Sequence, residues 1–106
     1  MNITEKKQNN WLVLALSERL DTQTAPQLEQ GAMGKLTDGA KMALDLSELQ
    51  YISSAGLRVL LMIMKKSKAA GGKAALVGVS GMVGEILEES GIDTFFEQYD
   101  KVEALP

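Results

Sequence analysis

Lys41–Val79 reads KMALDLSELQYISSAGLRVLLMIMKKSKAAGGKAALVGV, and the order of patterns within it decides the fold class. Lys41–Leu46 (KMALDL) has the length and apolar content of a strand. A short polar link leads to Ser53-Ser54-Ala55-Gly56, where a helix begins. That helix runs to about Ala70 and is stopped by Gly71-Gly72. Ala74–Val79 (AALVGV) is a near-continuous apolar run, suited to a strand buried on both faces. Strand, helix and strand in this order form a crossover unit, the repeating element of a parallel sheet.

The flanks extend the same grammar. Upstream, Trp11–Leu16 (WLVLAL) is another buried strand, preceded by Asn2–Lys7 and a Gln8-Asn9-Asn10 turn, which predicts a hairpin with the first segment at an edge. Thr24-Ala25-Pro26-Gln27 predicts a helix start, with a threonine cap, a proline in the first turn and a glutamine three residues after the cap. Ala25, Leu28, Ala32 and Leu36 then share one face. Gly31 and Gly34 weaken this helix, and Gly39 ends the unit. Downstream, Ser80 caps a third helix whose inward residues are Met82 or Val83, Ile86 and Leu87. Gly91-Ile92 reads as a glycine C-cap with its apolar partner. Phe95–Tyr99 is a last short strand, and Val102–Leu105 a loosely docked tail. The sum is β-β-α-β-α-β-α-β: an α/β fold with a mostly parallel sheet, and residues 1–106 as a single domain.

Composition narrows the chemistry. The net charge of −3 argues against a nucleic-acid binder, which would carry a basic face. The chain has neither cysteine nor histidine, so disulfides, thiol catalysis, thiolate metal sites and imidazole acid–base chemistry are all excluded. No cofactor or metal site is expected. Met1–Asn10 lacks the apolar run of a signal peptide, and Val59–Met64 is far too short to span a bilayer, so the expectation is a cytoplasmic protein without membrane insertion.

The serines at the start of the second helix are the candidate site. A serine there serves as an N-cap, its oxygen accepting an orphan backbone N–H. The same helix end favours negative charge and so tolerates a phosphate. A nucleophilic role is disfavoured. Ile52 stands where a hydrolase elbow needs glycine, and no histidine is present to activate the hydroxyl. The acids Asp21, Asp45 and Glu48 form no substitute pattern. Gly71-Gly72-Lys73 lacks the first glycine and the following Ser/Thr of a phosphate-binding loop. In the second helix Leu57, Leu60, Leu61 and Met64 form the expected core face, yet Val59, Met62 and Ile63 are also apolar. An exposed strip involving Val59 and Met62 is therefore expected one turn beyond Ser54, a surface for another protein.

The block Asp45-Leu46-Ser47-Glu48-Leu49-Gln50-Tyr51-Ile52-Ser53-Ser54-Ala55-Gly56-Leu57-Arg58-Val59-Leu60-Leu61 resembles the signature of the STAS-domain anti-sigma factor antagonists. Arg19-Leu20-Asp21 followed by Thr24-Ala25 resembles that family's turn before its first helix. Gly71-Gly72-Lys73, the strand after it and Ser90-Gly91-Ile92 match in order. The resemblance implies a four- to five-stranded sheet with helices mainly on one side. It further implies a phosphorylation switch at Ser54. The unphosphorylated form binds a serine kinase of the histidine-kinase-like ATPase class that is also the anti-sigma factor. Phosphorylation releases that partner, and a metal-dependent serine phosphatase resets the cycle. The family has aspartate where this chain has Ser53, which makes Ser53 a second acceptor candidate. The partner surface then comprises Asp21, Ser53, Ser54, Ala55, Gly56, Arg58, Val59 and Met62. The alternative is a non-switching STAS subunit or scaffold, such as a component of a lipid-transport ABC complex.

Overall fold

A computed structural model describes all residues from Met1 to Pro106. Five strands lie in chain order across one sheet: β1 (Ile3–Gln8), β2 (Trp11–Leu20), β3 (Lys41–Ile52), β4 (Lys73–Val77) and β5 (Glu97–Tyr99). β1 pairs antiparallel with β2, and every other pairing is parallel. The hairpin closes through Asn9 and Asn10, both with positive φ (49° and 72°), the conformation a two-residue turn needs and asparagine tolerates. Helices α1 (Ala25–Ala32), α2 (Ser54–Ala69) and α3 (Gly81–Ser90) form the crossovers.

Alternation along the strands divides the core. Leu14, Leu16, Met42, Leu44, Leu46 and Leu76 point to the helical side, where they meet Leu28, Leu60, Ile63, Val83 and Leu87. Trp11, Val13, Ala43, Ala75 and Val77 point the other way. No α-helix covers that second face. Val102 and Leu105 do, at 6% and 2% exposure. The tail is thus firmly seated, contrary to the loose docking expected. The Trp11 indole N–H donates to the Pro106 carbonyl (3.1 Å) and the Asn9 amide to the Leu105 carbonyl (2.9 Å). A sheet with one uncovered apolar face recruits whatever chain remains, and here that is the C-terminal segment.

Two strands outrun their expected ends. β2 continues to Leu20 and β3 through the supposed polar link to Ile52, with register shifts between Ala15 and Ser17 and between Glu18 and Arg19. These bulges absorb the polar residues Ser47 and Glu48 outward while Leu20, Leu49 and Ile52 still reach the core. Local capping also differs from expectation. Thr24 occupies the cap position of α1 without a side-chain cap bond, and Gln27 instead donates to the Met1 carbonyl (3.2 Å). Ser80 likewise makes no side-chain cap for α3, and Met82 is exposed, so Val83 and Leu87 are the inward pair. Gly91 closes α3 in the left-handed region (φ 77°), with Ile92 buried behind it.

Candidate functional site

The parallel strands β2 and β3 deliver two helix starts to one rim of the sheet. Leu20 and Ile52 are register partners at the strand ends, and the Ser53 N–H donates to the Leu20 carbonyl (2.9 Å). Gly56 allows this proximity. A Cβ there would lie 2.8 Å from the Leu20 carbonyl oxygen and 2.9 Å from Ile52 Cγ1, so only glycine lets α2 sit directly on the strand ends.

That contact sets the rotation of α2. With Gly56 against the sheet, successive inward positions are Val59, Leu60, Ile63 and Ser67, at helical spacing. Val59 is therefore buried, at 4% exposure, and the expected exposed strip through Val59 does not exist. Leu57, Leu61 and Met64, assigned to the core face by spacing alone, are half-buried on a flank. Met62 is half-buried and lies outside the side chains that pack on the core, while Arg58 is exposed. The outward line from Ser54 runs through Arg58 to Met62.

The two serines have different environments. Ser53 is the N-cap of α2, with extended backbone (φ −98°, ψ 175°), and its Oγ accepts the Gly56 N–H at 3.4 Å. Ser54 is the first helical residue, exposed, with no hydrogen bond from its side chain to the rest of the chain. Capping falls to one hydroxyl, and the neighbouring hydroxyl stays free at the positive end of the helix dipole.

Asp21 lies at the same rim, immediately after Leu20. Its Oδ1 accepts the N–H groups of Gln23 (3.0 Å) and Thr24 (3.2 Å), and its own N–H donates to the Thr24 hydroxyl (2.8 Å). This Asx turn, rather than a Thr24–Gln27 box, initiates α1. Partial desolvation alone would raise the Asp21 carboxyl. Hydrogen bonds from the Thr24 and Gln23 amides, the Thr24 hydroxyl and Arg19 outweigh it and hold the group below its ordinary range. Arg19 Nε lies 3.4 Å from Asp21 Oδ2, and its guanidinium rests 4.4 Å from the centre of the Tyr51 ring. Neither Arg19 nor Tyr51 was among the residues expected at the partner surface. Their pairing depends on the bulged register of β2 on β3, which no spacing rule reveals. Of the residues expected at the partner surface, the structure gathers Asp21, Ser53, Ser54, Ala55 and Arg58 at this rim or on the first two turns of α2, and turns Gly56 and Val59 inward. The four clefts of the domain are lined by other residues, so the rim is a surface rather than a cavity. No helix is long and apolar enough to cross a membrane.

Comparison with known proteins places this geometry. Residues 2–105 match the STAS domain. BtrV of Bordetella bronchiseptica, named as an anti-sigma factor antagonist, is 33% identical over 105 residues, which cover 98% of this chain and 90% of BtrV. The crystal structure of an anti-sigma factor antagonist from Thermotoga maritima superposes with a TM-score of 0.86 at 25% identity, over 94% of this chain and 87% of that one. The phosphorylated form of the Bacillus cell fate determinant SpoIIAA shares the fold, with a TM-score of 0.74 at 19% identity over 97% and 96% of the two chains. By sequence along its whole length and by fold, this chain belongs to the STAS-domain family of anti-sigma factor antagonists.

Proposed function

We propose that the protein is a non-catalytic, cytoplasmic switch that binds an anti-sigma factor with serine-kinase activity and is released when Ser54 is phosphorylated. The observation that carries this reading is the division of labour at the start of α2. Ser53 Oγ is engaged by the Gly56 N–H, whereas Ser54 is exposed and its hydroxyl free. Ser53, the second acceptor candidate, would have to surrender its cap to react. Ser54 surrenders nothing.

The step transfers the γ-phosphoryl group of ATP to Ser54 Oγ; ADP departs, and the hydroxyl proton passes to the kinase. A phosphoserine brings about −1.5 to −2 charges and three acceptor oxygens. Within the domain these sit at a helix N-terminus, where negative charge is favourable by roughly 0.3–1 kcal/mol. Against a partner seated over Arg58 and Met62, the phosphate must lose water, at a cost of several kcal/mol unless cations meet it. Each 1.4 kcal/mol is about tenfold in affinity, so release follows from the surface while the fold stays as it is. A metal-dependent serine phosphatase returns the hydroxyl. The phosphorylated form known for SpoIIAA supports the reading, because the same fold carries the modified state in that protein.

The test is intact-mass analysis, with peptide mapping, after incubation with ATP and the cognate kinase. One phosphate is expected on the wild type and on Ser53→Ala, and none on Ser54→Ala, which binds the kinase constitutively; Ser54→Glu binds weakly. Full phosphorylation of Ser54→Ala refutes the assignment. Recovery of transporter subunits instead of a kinase in a pull-down would favour the non-switching STAS subunit.

A further inference from the structure

The charged residues of α2, SAGLRVLLMIMKKSKA, are unevenly placed. Lys65, Lys66 and Lys68 lie towards its C-terminal end, where the helix dipole favours cations. Arg58 stands alone near the other end, on the second turn of a helix whose first turn holds no acid. It is exposed and takes no part in the salt bridges of the domain, which join Met1 to Glu18, Arg19 to Asp21 and Lys35 to Glu5. The other guanidinium of the rim, Arg19, is by contrast held by the Asp21 carboxylate and the Tyr51 ring. An unpaired cation near the less favourable end of a helix breaks a local rule with nothing in the domain to offset it, which marks Arg58 as a residue kept for contact with something else.

Helix geometry decides what Arg58 can reach. Residues three and four apart are neighbours on a helix surface, with about 5–6 Å between their Cβ atoms. For Arg58 these neighbours are Ser54, Ala55, Leu61 and Met62. Of the four, Ser54 alone has a polar side chain, and it is exposed with its hydroxyl free. Helical side chains lean towards the N-terminus, which directs the Arg58 guanidinium over the turn that begins at Ser54. An anion placed four residues before a cation is also the favourable order for such a pair. A guanidinium can donate two parallel N–H bonds to a phosphate, a geometry that an ammonium lacks.

Resting on the proposed phosphorylation of Ser54, we infer that Arg58 is the receptor of that phosphate, and that before modification the same guanidinium anchors a carboxylate of the partner. Phosphorylation then acts on the surface in two ways. It draws Arg58 onto the phosphate, so the partner's acid loses its counter-charge, and it sets a dianion opposite that acid. The phosphate is met by a cation of its own chain, within one turn of the same helix. The domain therefore accommodates the modification without rearrangement, and the partner loses its anchor.

The experiment uses the full chain with phosphoserine introduced at position 54 by genetic encoding, so that no kinase is needed, and follows the phosphate by phosphorus NMR through a pH titration. The phosphate should lose its second proton at a pH roughly 0.2–0.7 unit lower in this protein than in the same protein carrying Arg58→Gln. Arg58→Lys should fall between the two, and Arg19→Gln should leave the titration in place. A titration unmoved by Arg58→Gln overturns the pairing, as does one moved equally by Arg19→Gln. In the unmodified protein, Arg58→Gln should weaken binding of the cognate kinase by roughly tenfold, measured by calorimetry. Unchanged affinity overturns the carboxylate anchor. A kinase that leaves Ser54 unmodified refutes the switch itself, and the encoded phosphoserine reports on Arg58 independently of that result.

Discussion

Replacing Gly56 with alanine is expected to unseat α2 from the strand ends. The added methyl would lie 2.8 Å from both Leu20 Cγ and the Leu20 carbonyl oxygen, and 2.9 Å from Ile52 Cγ1. The two side-chain carbons have some freedom to rotate away. The carbonyl oxygen does not, because it belongs to β2 and accepts the Ser53 N–H at 2.9 Å. Overpacking of this kind costs about 1–3 kcal/mol, against which alanine gains at most about 1 kcal/mol of helix propensity. Because one contact is to backbone, the net loss should be about 1–2 kcal/mol. In a domain of this size each kcal/mol moves Tm by roughly 4–8 °C. Urea unfolding should show a lower midpoint at unchanged slope. Gly31→Ala is the matched control. It also lies within a helix, but its nearest neighbour is Ile3 Cδ1 at 3.9 Å, so it should gain up to about 1 kcal/mol. If both glycine variants shift stability in the same direction, the close approach of α2 to Leu20 is not what holds the helix.

Removing Val102–Pro106 should cost about 3 kcal/mol or more, because Val102 and Leu105 are buried over the helix-free face of the sheet. The single Trp11 reports it directly, through a red-shifted emission once its cover and its bond to the Pro106 carbonyl are gone. Asp21→Asn tests the Asx turn through pH. The folded carboxyl is depressed, so its contribution is present above the unfolded pKa and lost as pH falls through the folded value. The gap in urea midpoint between wild type and variant should be widest near neutrality and close on acidification; a pH-independent gap would contradict this. Ser53→Ala should cost about 0.5–1 kcal/mol as a lost cap, with Ser54→Ala near neutral in stability, and equal effects in thermal melts would contradict the assignment of the cap to Ser53.

The crossover order, the hairpin and the apolar faces of α1 and α3 were legible because each rests on a local period or a turn residue. Ala25, Leu28, Ala32 and Leu36 are all buried as their spacing requires, and Gly91 has the positive φ that a glycine C-cap implies. The misreadings share one physical cause. Val59 was taken for a surface residue because the first half of α2 is apolar nearly all round, so periodicity left the rotation of the helix open. Gly56 resolves it by contact with Leu20 and Ile52, which are distant in sequence. The strand ends were misplaced for the same reason. A bulge lets polar Ser47 and Glu48 remain in the ladder, and a bulge is a property of the pair. The tail looked loose because nothing within Val102–Leu105 announces that the sheet face above it is bare.

The same distinction bears on the site. Sequence alone marks two adjacent serines at a helix start, either of which could cap it, and only the family resemblance ranks Ser54 ahead of Ser53 as an acceptor. Three-dimensional contact assigns the cap, because the Ser53 N–H is held by the Leu20 carbonyl and its backbone is extended, which aims Oγ back at the Gly56 N–H. Ser54 then follows as the first residue with helical geometry, and its side chain projects from the rim. The substitution of serine for the family's aspartate at position 53 is consistent with this arrangement, since either side chain supplies a cap oxygen. What changes is charge. Aspartate there would put a fixed negative charge beside Ser54, whereas Ser53 leaves the start of α2 with no acid in its first turn. On the proposed reading, Ser53→Asp should keep the cap and partly mimic the modified surface. Kinase affinity, measured by calorimetry, is then expected to fall between those of the wild type and Ser54→Glu. An affinity at or above that of the wild type would mean that the partner does not sense negative charge at this helix end.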